Sequence, residues 1–435
     1  MHKRSSRRPR RKPVFIDVFA GCGGLSLGLM QAGWKGLFAI EKDSHAFSTL
    51  KANLVERKRG PSFSWPRWLE KEPHEIGELT RQYKANLLSL RGRVDLIVGG
   101  PPCQGFSSAG RRDPDDPRNQ LFKQYLRVVG LVQPEMLLLE NVRGISIEFA
   151  EKKVRKKRAG KSSRAAEPFS ETIRRRLERR GYTTFPVLLR SADYGVPQLR
   201  PRYFMMGVRR GTAPRVGEIK NPFNAAPRLR QKFLERLGLT EQEHVCVRDA
   251  ISDLRVRGTT LMDCVDSRGF NQIVYPGPRT PYQVQMHGSM NGHAPNSLRL
   301  PNHSAEIVAR FERMVKTARK GVSLSDKERK KFGVKKQSIV VLKGTAPSHT
   351  LTTLPDDYVH YSEGRILTVR EYARLQSFPD WFEFRGAYTT GGERRIKTCP
   401  RYTQVGNAVP PRLATFLGTL IRSYAKKSRL RHVRG

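Results

Sequence analysis

The stretch Val14-Phe15-Ile16-Asp17-Val18-Phe19 is apolar enough for a buried strand, and it runs directly into Gly21, Gly23 and Gly24. Leu25, Leu27, Leu29 and Met30 then begin a helix that Gly33 closes. Leu37-Phe38-Ala39-Ile40 supplies a second short strand ending at Glu41. Strand, glycine turn, helix and strand in that order point to an α/β fold with a mostly parallel sheet. Glycines at such a turn allow a tight backbone and let a ligand approach N–H groups closely. A carboxylate about 20 residues further on, at the end of the next strand, can accept both ribose hydroxyls of a nucleoside. The glycine loop alone is compatible with NAD, FAD or S-adenosylmethionine. A kinase-like phosphate loop is disfavoured, since neither Lys-Ser nor Lys-Thr follows Gly24.

The alternation continues downstream. Val94-Asp95-Leu96-Ile97-Val98 reads as a central strand that Gly99-Gly100-Pro101-Pro102 stops abruptly. Cys103 therefore falls at the carboxyl edge of the sheet, where open α/β folds gather their ligands. A free thiol has a pKa near ~8.5 and is intrinsically a strong nucleophile. After a helix around 119–131, Met136-Leu137-Leu138-Leu139 is another buried strand, which Glu140-Asn141-Val142 is expected to terminate. Parallel strands place their carboxyl ends on one side of a sheet, so Cys103 and Glu140 can face one pocket. Val187–Leu189 and Arg202–Val208 supply further strands. In Gln198-Leu199-Arg200-Pro201-Arg202, the two arginines share a side if the segment is extended. Arg202 enters an apolar strand, where a guanidinium needs an acidic or nucleic-acid partner.

Charge identifies the partner class. The 435 residues carry 82 Lys and Arg against 39 Asp and Glu, a formal charge of +43. That is far more than solubility requires, and it implies a polyanion reached by electrostatic steering, with nucleic acid favoured over an anionic membrane. Seven of the first 12 residues are basic and form a candidate phosphate-binding arm, and residues 151–164 hold eight more Lys or Arg with almost no apolar side chains. The latter read as a mobile insertion, with helix resuming near Phe169. The five cysteines, at 22, 103, 246, 264 and 399, form neither a disulfide scaffold nor a Cys-x-x-Cys metal knuckle. They suit a reduced, intracellular setting. No stretch approaches a membrane span, no secretory core follows the basic start, and the histidines form no recognisable metal-ligand set. From about 211 to 350 the alternation gives way to loops rich in Gly, Pro, Asn and Arg, which suggests a smaller second domain.

Taken in order, DVFAGCGGLSLGL at 17–29, VDLIVGGPPCQGFSSAG at 94–110, ENVRG at 140–144 and YGVPQLRPR at 194–202 closely resemble the DNA cytosine-5 methyltransferases of bacterial restriction–modification type. RILTVREYARLQSFPD at 365–380 and YTQVGNAVPP at 402–411 extend the resemblance to nearly all of the chain outside roughly 211–345. The resemblance implies a Rossmann-like methyltransferase sheet in 13–210, carrying a basic insertion at 151–168 behind the arm 1–12. It further implies a smaller domain in 211–385 with the target-recognition region and hinge, and a segment 386–435 that returns to the catalytic domain. It implies that Cys103 is the nucleophile and that Glu140 contacts N3 and the amino group of cytosine. Arg202 would hold the ring, with Arg200 and Gln198 supporting the pocket. Phe19, Gly21, Gly23, Glu41, Pro102 and Leu121 would contact S-adenosylmethionine, with Asn407, Ala408 and Val409 closing that site. The family's Gly-Asp-Ile, which binds the adenine amino group, is replaced here by Glu75-Ile76.

The implied reaction is methyl transfer to C5 of a cytosine flipped out of duplex DNA. The implied setting is a monomeric, cytoplasmic bacterial enzyme, with a restriction endonuclease acting on the same site without forming a stable complex. Two rival readings differ in testable ways. An RNA cytosine-5 methyltransferase shares the fold and thiol chemistry, but the long region before 365–380 and the Gln-Gly-Phe-Ser after Cys103 favour duplex DNA. A regulatory nucleic-acid-binding protein with a degenerate core conflicts with the intact Cys103, Glu140, Arg202 and glycine loop.

Overall fold

The computed structural model describes residues 11–101, 119–146, 168–211, 219–288, 290–389 and 398–432. Six strands form the central sheet: β1 (Val14–Val18), β2 (Lys35–Ile40), β3 (Leu96–Gly99), β4 (Met136–Val142), β5 (Tyr182–Arg190) and β6 (Pro201–Arg209). Their order is β2-β1-β3-β4-β6-β5. The first four are parallel, and the long β5–β6 pair joins antiparallel at the β4 edge. The sheet is thus mostly parallel, as the strand–helix alternation implies.

Period-two alternation sorts the strand side chains into two cores. Phe15, Leu96, Val98, Leu138, Phe204 and Met206 enter one apolar cluster, while Ile16, Val18, Ile97, Leu137, Leu139 and Met205 enter the other. Burial on both faces explains why β1, β3 and β4 read as continuous apolar runs. On the second face lie α3 (Asn119–Val132), through Phe122, Leu126 and Val129, and α4 (Phe169–Glu178), through Ile173 and Leu177.

The first face is covered by α1 (Gly24–Gln31) and α2 (Ser44–Leu54), and by three elements near the end of the chain: α5 (Val369–Leu375), α6 (Arg401–Asn407) and α7 (Pro411–His432). Helix α7 crosses α1 so closely that a Cβ on Gly28 would lie 2.3 Å from the Ala414 Cβ. The Trp34 indole N–H donates to the Gly418 carbonyl at 2.9 Å, fixing the crossing.

Two local expectations change. Strand β4 does not stop at Glu140: it continues to Val142, because Glu140, Asn141 and Val142 pair with Phe204, Tyr203 and Arg202 of β6. The segment before β6 is not extended either. Arg200 adopts φ 25°, a left-handed turn just ahead of the strand. No helix among the described residues is long and apolar enough to cross a membrane.

Between 245 and 388 the same apolar cluster continues through Val247, Ile251, Tyr282, Val340 and Phe384. A smaller cluster of Phe311, Met314, Ile339, Val341 and Val359 stands separately. The 365–380 block owes its charge to buried ion pairs. Both Glu371 oxygens accept from Arg365, at 2.8 and 2.7 Å, and Arg374 bridges Asp380 and Asp253 at 2.5 and 3.1 Å. These pairs knit α5 to the segment near 253, so the arginines of the block are structural.

Candidate active site

A cavity of about 410 Å³ opens at the carboxyl edge of the parallel strands. At the end of β1, Phe19 turns into a left-handed conformation at φ 62°, followed by Gly21 at φ 56° and Gly23 at φ 94°. A Cβ on Gly21 would meet nothing within 4 Å, so its backbone faces open space in the cavity wall. Gly23 differs. A Cβ there would fall 2.8 Å from Leu54, and the residue is not part of the wall. Its role is to form the turn and pack against α2.

Glu41 follows β2 at the rim of the same cavity. One carboxylate oxygen accepts the Gly21 N–H at 2.9 Å and the other the Asp43 N–H at 2.8 Å. Each oxygen retains a second lone pair for a ligand hydroxyl. Burial pushes the Glu41 carboxyl up, against the pull of those two backbone donors. Asp43 in turn caps α2 through Ala46 N–H and accepts the Cys399 N–H at 2.9 Å. The returning chain is thereby pinned to the cofactor loop. Beyond it, Asn407, Ala408 and Val409 line the cavity, as does Leu121 of α3. A Cβ on Gly24 would lie 2.4 Å from the Val409 carbonyl oxygen, so the close approach requires glycine.

The other half of the cavity is polar. Arg202 Nε lies 3.1 Å from Glu140 Oε1, with both side chains almost buried. Burial raises the Glu140 pKa despite the nearby Arg202 and Arg200, and it lowers that of Arg202 despite Glu140. Desolvation thus outweighs mutual attraction for both partners, as expected where water is excluded. Gly100 makes the arrangement possible, because a Cβ there would come 2.8 Å from Glu140 Oε2. The Asn141 side-chain amide donates to the Pro101 carbonyl at 3.1 Å and holds the chain leading to Cys103 against β4. Pro102 and Cys103 themselves lie outside the described residues, as do most of the basic arm and nearly all of the 151–168 insertion.

Arg200 reaches the cavity by a different route from Arg202. Its fully buried guanidinium donates to the carbonyls of Leu351 and Gly406 at 3.3 and 2.8 Å, leaving Nε without a hydrogen-bond partner among the described residues. Gln198 is not in the wall. Its amide accepts from Leu351 N–H at 2.9 Å and donates to Gln376 Oε1 at 3.0 Å, joining three distant segments behind the pocket.

Several wall residues escaped the sequence reading. Asp17, buried in β1, accepts from Ser26 Oγ at 2.5 Å, and burial lifts its carboxyl to about 7. Its signal was a charged residue inside an apolar strand. Gln404 reaches the wall from α6, and its carbonyl accepts a weak bond from the Cys22 thiol at 3.6 Å. Glu75 and Ile76, which the sequence places where the family's Gly-Asp-Ile is expected, line the cavity too, although Glu75 already spends one oxygen capping the helix Ile76–Gln82 through Glu78 N–H at 2.9 Å. No group of three or more His, Cys, Asp or Glu side chains is placed to hold a metal among the described residues.

The glycine turn and Glu41 on one side of the cavity, and an almost buried acid–guanidinium pair on the other, fit an α/β enzyme with a nucleoside-cofactor site. Residues 14–423 match the C-5 cytosine-specific DNA methylase family, and the chain belongs to that family. It is 33% identical over 426 residues to the Type II methyltransferase M.DdeI of Desulfomicrobium norvegicum, covering 94% of this chain and 88% of that protein. To M1.HphI of Haemophilus parahaemolyticus it is 31% identical, covering 92% and 84% of the two chains. The fold is also that of a solved prophage-encoded E. coli protein described as a DNA modification methyltransferase, with TM-score 0.61 at 24% identity, covering 95% of this chain and all of that one. The protein is accordingly a DNA cytosine-5 methyltransferase that uses S-adenosylmethionine.

The cavity suits that cofactor. The open Gly21 backbone, the spare acceptors of Glu41 and the glycine-only approach of Gly24 to Val409 form a cradle for a nucleoside.

Proposed function

We propose that Cys103, Glu140 and Arg202 carry the chemistry on a cytosine flipped from duplex DNA. The observation supporting this most directly is the buried Glu140–Arg202 pair, which shares one cavity with the glycine turn and Glu41. Pro101 lies in that wall, and Cys103 follows it by two residues, an extended reach of at most about 7 Å.

Flipping costs about a few kcal/mol, and phosphate contacts of the basic chain offset it. The Cys103 thiolate adds to C6, forming the S–C6 bond and making C5 enamine-like. Negative charge develops at N3 and O2. Glu140, whose burial favours the protonated carboxyl, donates to N3, and the Arg202 guanidinium meets O2. When bound, the cofactor supplies an activated methyl group for C5. Departure of the C5 proton and elimination of the Cys103 thiolate then restore the aromatic base. Arg200 and Gln198 position this constellation from behind, and Glu41, Gly21, Leu121 and 407–409 hold the nucleoside.

We further assign sequence recognition to 211–350, within a smaller unit spanning 211–385, and place the protein in the bacterial cytoplasm as a monomer. A restriction endonuclease sharing its target site would complete a restriction–modification pair. Expression in a methylation-free host, followed by bisulfite sequencing of the recovered plasmid, tests the function. Conversion-resistant cytosines at one recurring sequence are expected from the wild type and not from Cys103→Ser. Equal protection by both proteins would remove Cys103 from the chemistry.

A further inference from the structure

A second concavity, of about 370 Å³, is lined by Arg248, Ser252, Arg255, Lys320, Tyr361 and Ser362. It contains three cations and three hydroxyls, with no carboxylate. No ion pair engages any of the three cations among the described residues. The acids that follow Tyr361 in the chain, Glu363 and Glu371, are already paired, at 2.8 and 2.7 Å from Arg365. Arg255 Nε donates to the Ser252 carbonyl at 3.2 Å and Lys320 Nζ to the Tyr361 carbonyl at 2.8 Å, which orients both charges, and their remaining donors make no further hydrogen bond among the described residues. Tyr361 is 5% exposed, and its hydroxyl stands beside that of Ser362. The positive field is felt next door, where burial first, and then Arg365, Arg255 and Lys320, hold the His360 imidazole far below its ordinary pKa.

We propose that this cleft binds a phosphate oxyanion, and that its occupant is one phosphate of the DNA backbone. The inference rests on the protein's action on DNA and adds to it a specific anchor. The cleft is tied to the Gln198 segment, behind the cavity, by one short stretch of chain. The Arg248 N–H donates to the Gly344 carbonyl at 2.9 Å, while four residues later Ser348 pairs with Pro197 and Leu199 on either side of Gln198, at 3.0 and 2.8 Å. Four residues span at most about 14 Å. Duplex DNA carries one charge per about 1.7 Å of axis and is the polyanion this protein acts on, so a phosphate of that backbone is the occupant the three cations fit. Guanidinium and ammonium groups beside neutral hydroxyl donors match a phosphodiester, which offers only acceptors.

Arg248→Gln is the first variant, because the Arg248 side chain makes no hydrogen bond among the described residues; Tyr361→Phe is the second and removes only a hydroxyl. Binding of the full-length protein to cognate and unrelated duplexes is measured across a salt series with S-adenosylhomocysteine present. Arg248→Gln should weaken both duplexes by a similar factor, roughly fivefold to tenfold at low salt. It should also reduce the magnitude of the log–log salt slope by about 0.9, the value for one lost phosphate contact. Tyr361→Phe should weaken binding with little change of slope, and affinity for S-adenosylhomocysteine should stay unchanged in both variants. A parallel titration with inorganic phosphate, read by ³¹P line broadening, separates the sources. Unchanged DNA affinity and slope with loss of phosphate broadening would replace the DNA backbone by free phosphate and overturn the proposal. Unchanged behaviour in both assays would leave no oxyanion site at all. Because no arm depends on turnover, these outcomes stay distinct from a failure of the catalytic assignment.

Discussion

Arg202 Nε sits 3.1 Å from Glu140 Oε1, although the two residues are offset by two positions in the β4–β6 register, where Glu140 faces Phe204 and Arg202 faces Val142. A diagonal contact across antiparallel strands lets both side chains lean toward the same edge of the sheet. Both are nearly buried, and neither can lose its partner cheaply.

The first prediction concerns the proton on Glu140. Burial raises its pKa, while Arg202 and Arg200 lower it. If the protonated carboxyl is the competent form, single-turnover methylation falls as pH rises through that pKa. Arg202→Ala removes a lowering influence, so the alkaline limb moves to higher pH while the plateau rate drops by about 10²–10³. A pH series of single-turnover rates checks this. Movement of the limb to lower pH would assign the titration to another group.

Glu41 gives the second. With Gly21 and Asp43 N–H groups on its oxygens, it orients the turn as well as offering acceptors to ribose. Glu41→Ala should weaken S-adenosylhomocysteine by more than tenfold and leave DNA affinity within about twofold, since each charged hydrogen bond contributes about 1.5–3 kcal/mol. Isothermal titration with S-adenosylhomocysteine, paired with DNA binding, measures the two. A larger loss of DNA affinity would contradict the assignment.

Asp17 supplies the third. Its folded carboxyl is lifted by burial from an ordinary 3.8 to about 7, so the folded state holds a proton that the unfolded state releases. Stability from this group is therefore intact below the unfolded pKa and declines as pH rises from roughly 4 toward 7. Asp17→Asn, which keeps an acceptor for Ser26 Oγ, should flatten that decline. Denaturant midpoints at closely spaced pH values provide the test, and an unaltered slope would mean that Asp17 does not carry the proton.

These sites were not equally readable in the sequence. Glu41 could be placed because local order, a strand after a glycine turn, determines where it falls. Glu140 followed from the rule that parallel strands end on one side, even though β4 runs past it instead of stopping there. Gln198 and Arg200 lay beyond that logic. Their partners, Leu351, Gln376 and Gly406, are more than 150 residues away, and the left-handed turn at Arg200 has no glycine to announce it. Gly23 carries a different lesson. A glycine in a cofactor loop reads the same whether its missing Cβ makes room for ligand or, as here, for Leu54.

The central claim is covalent attack by Cys103, and a mechanism-based trap tests it most directly. Duplex DNA carrying 5-fluorocytosine at the target position blocks the final step, because fluorine cannot leave C5 as a proton. Wild-type protein with S-adenosylmethionine should form a denaturation-resistant complex, with peptide mass mapping locating the bond at Cys103. Cys103→Ser should bind DNA and cofactor without forming the complex, since an alcohol is a far weaker nucleophile at neutral pH. Absence of the adduct at an independently confirmed methylation site, or its location at another residue, would contradict the account.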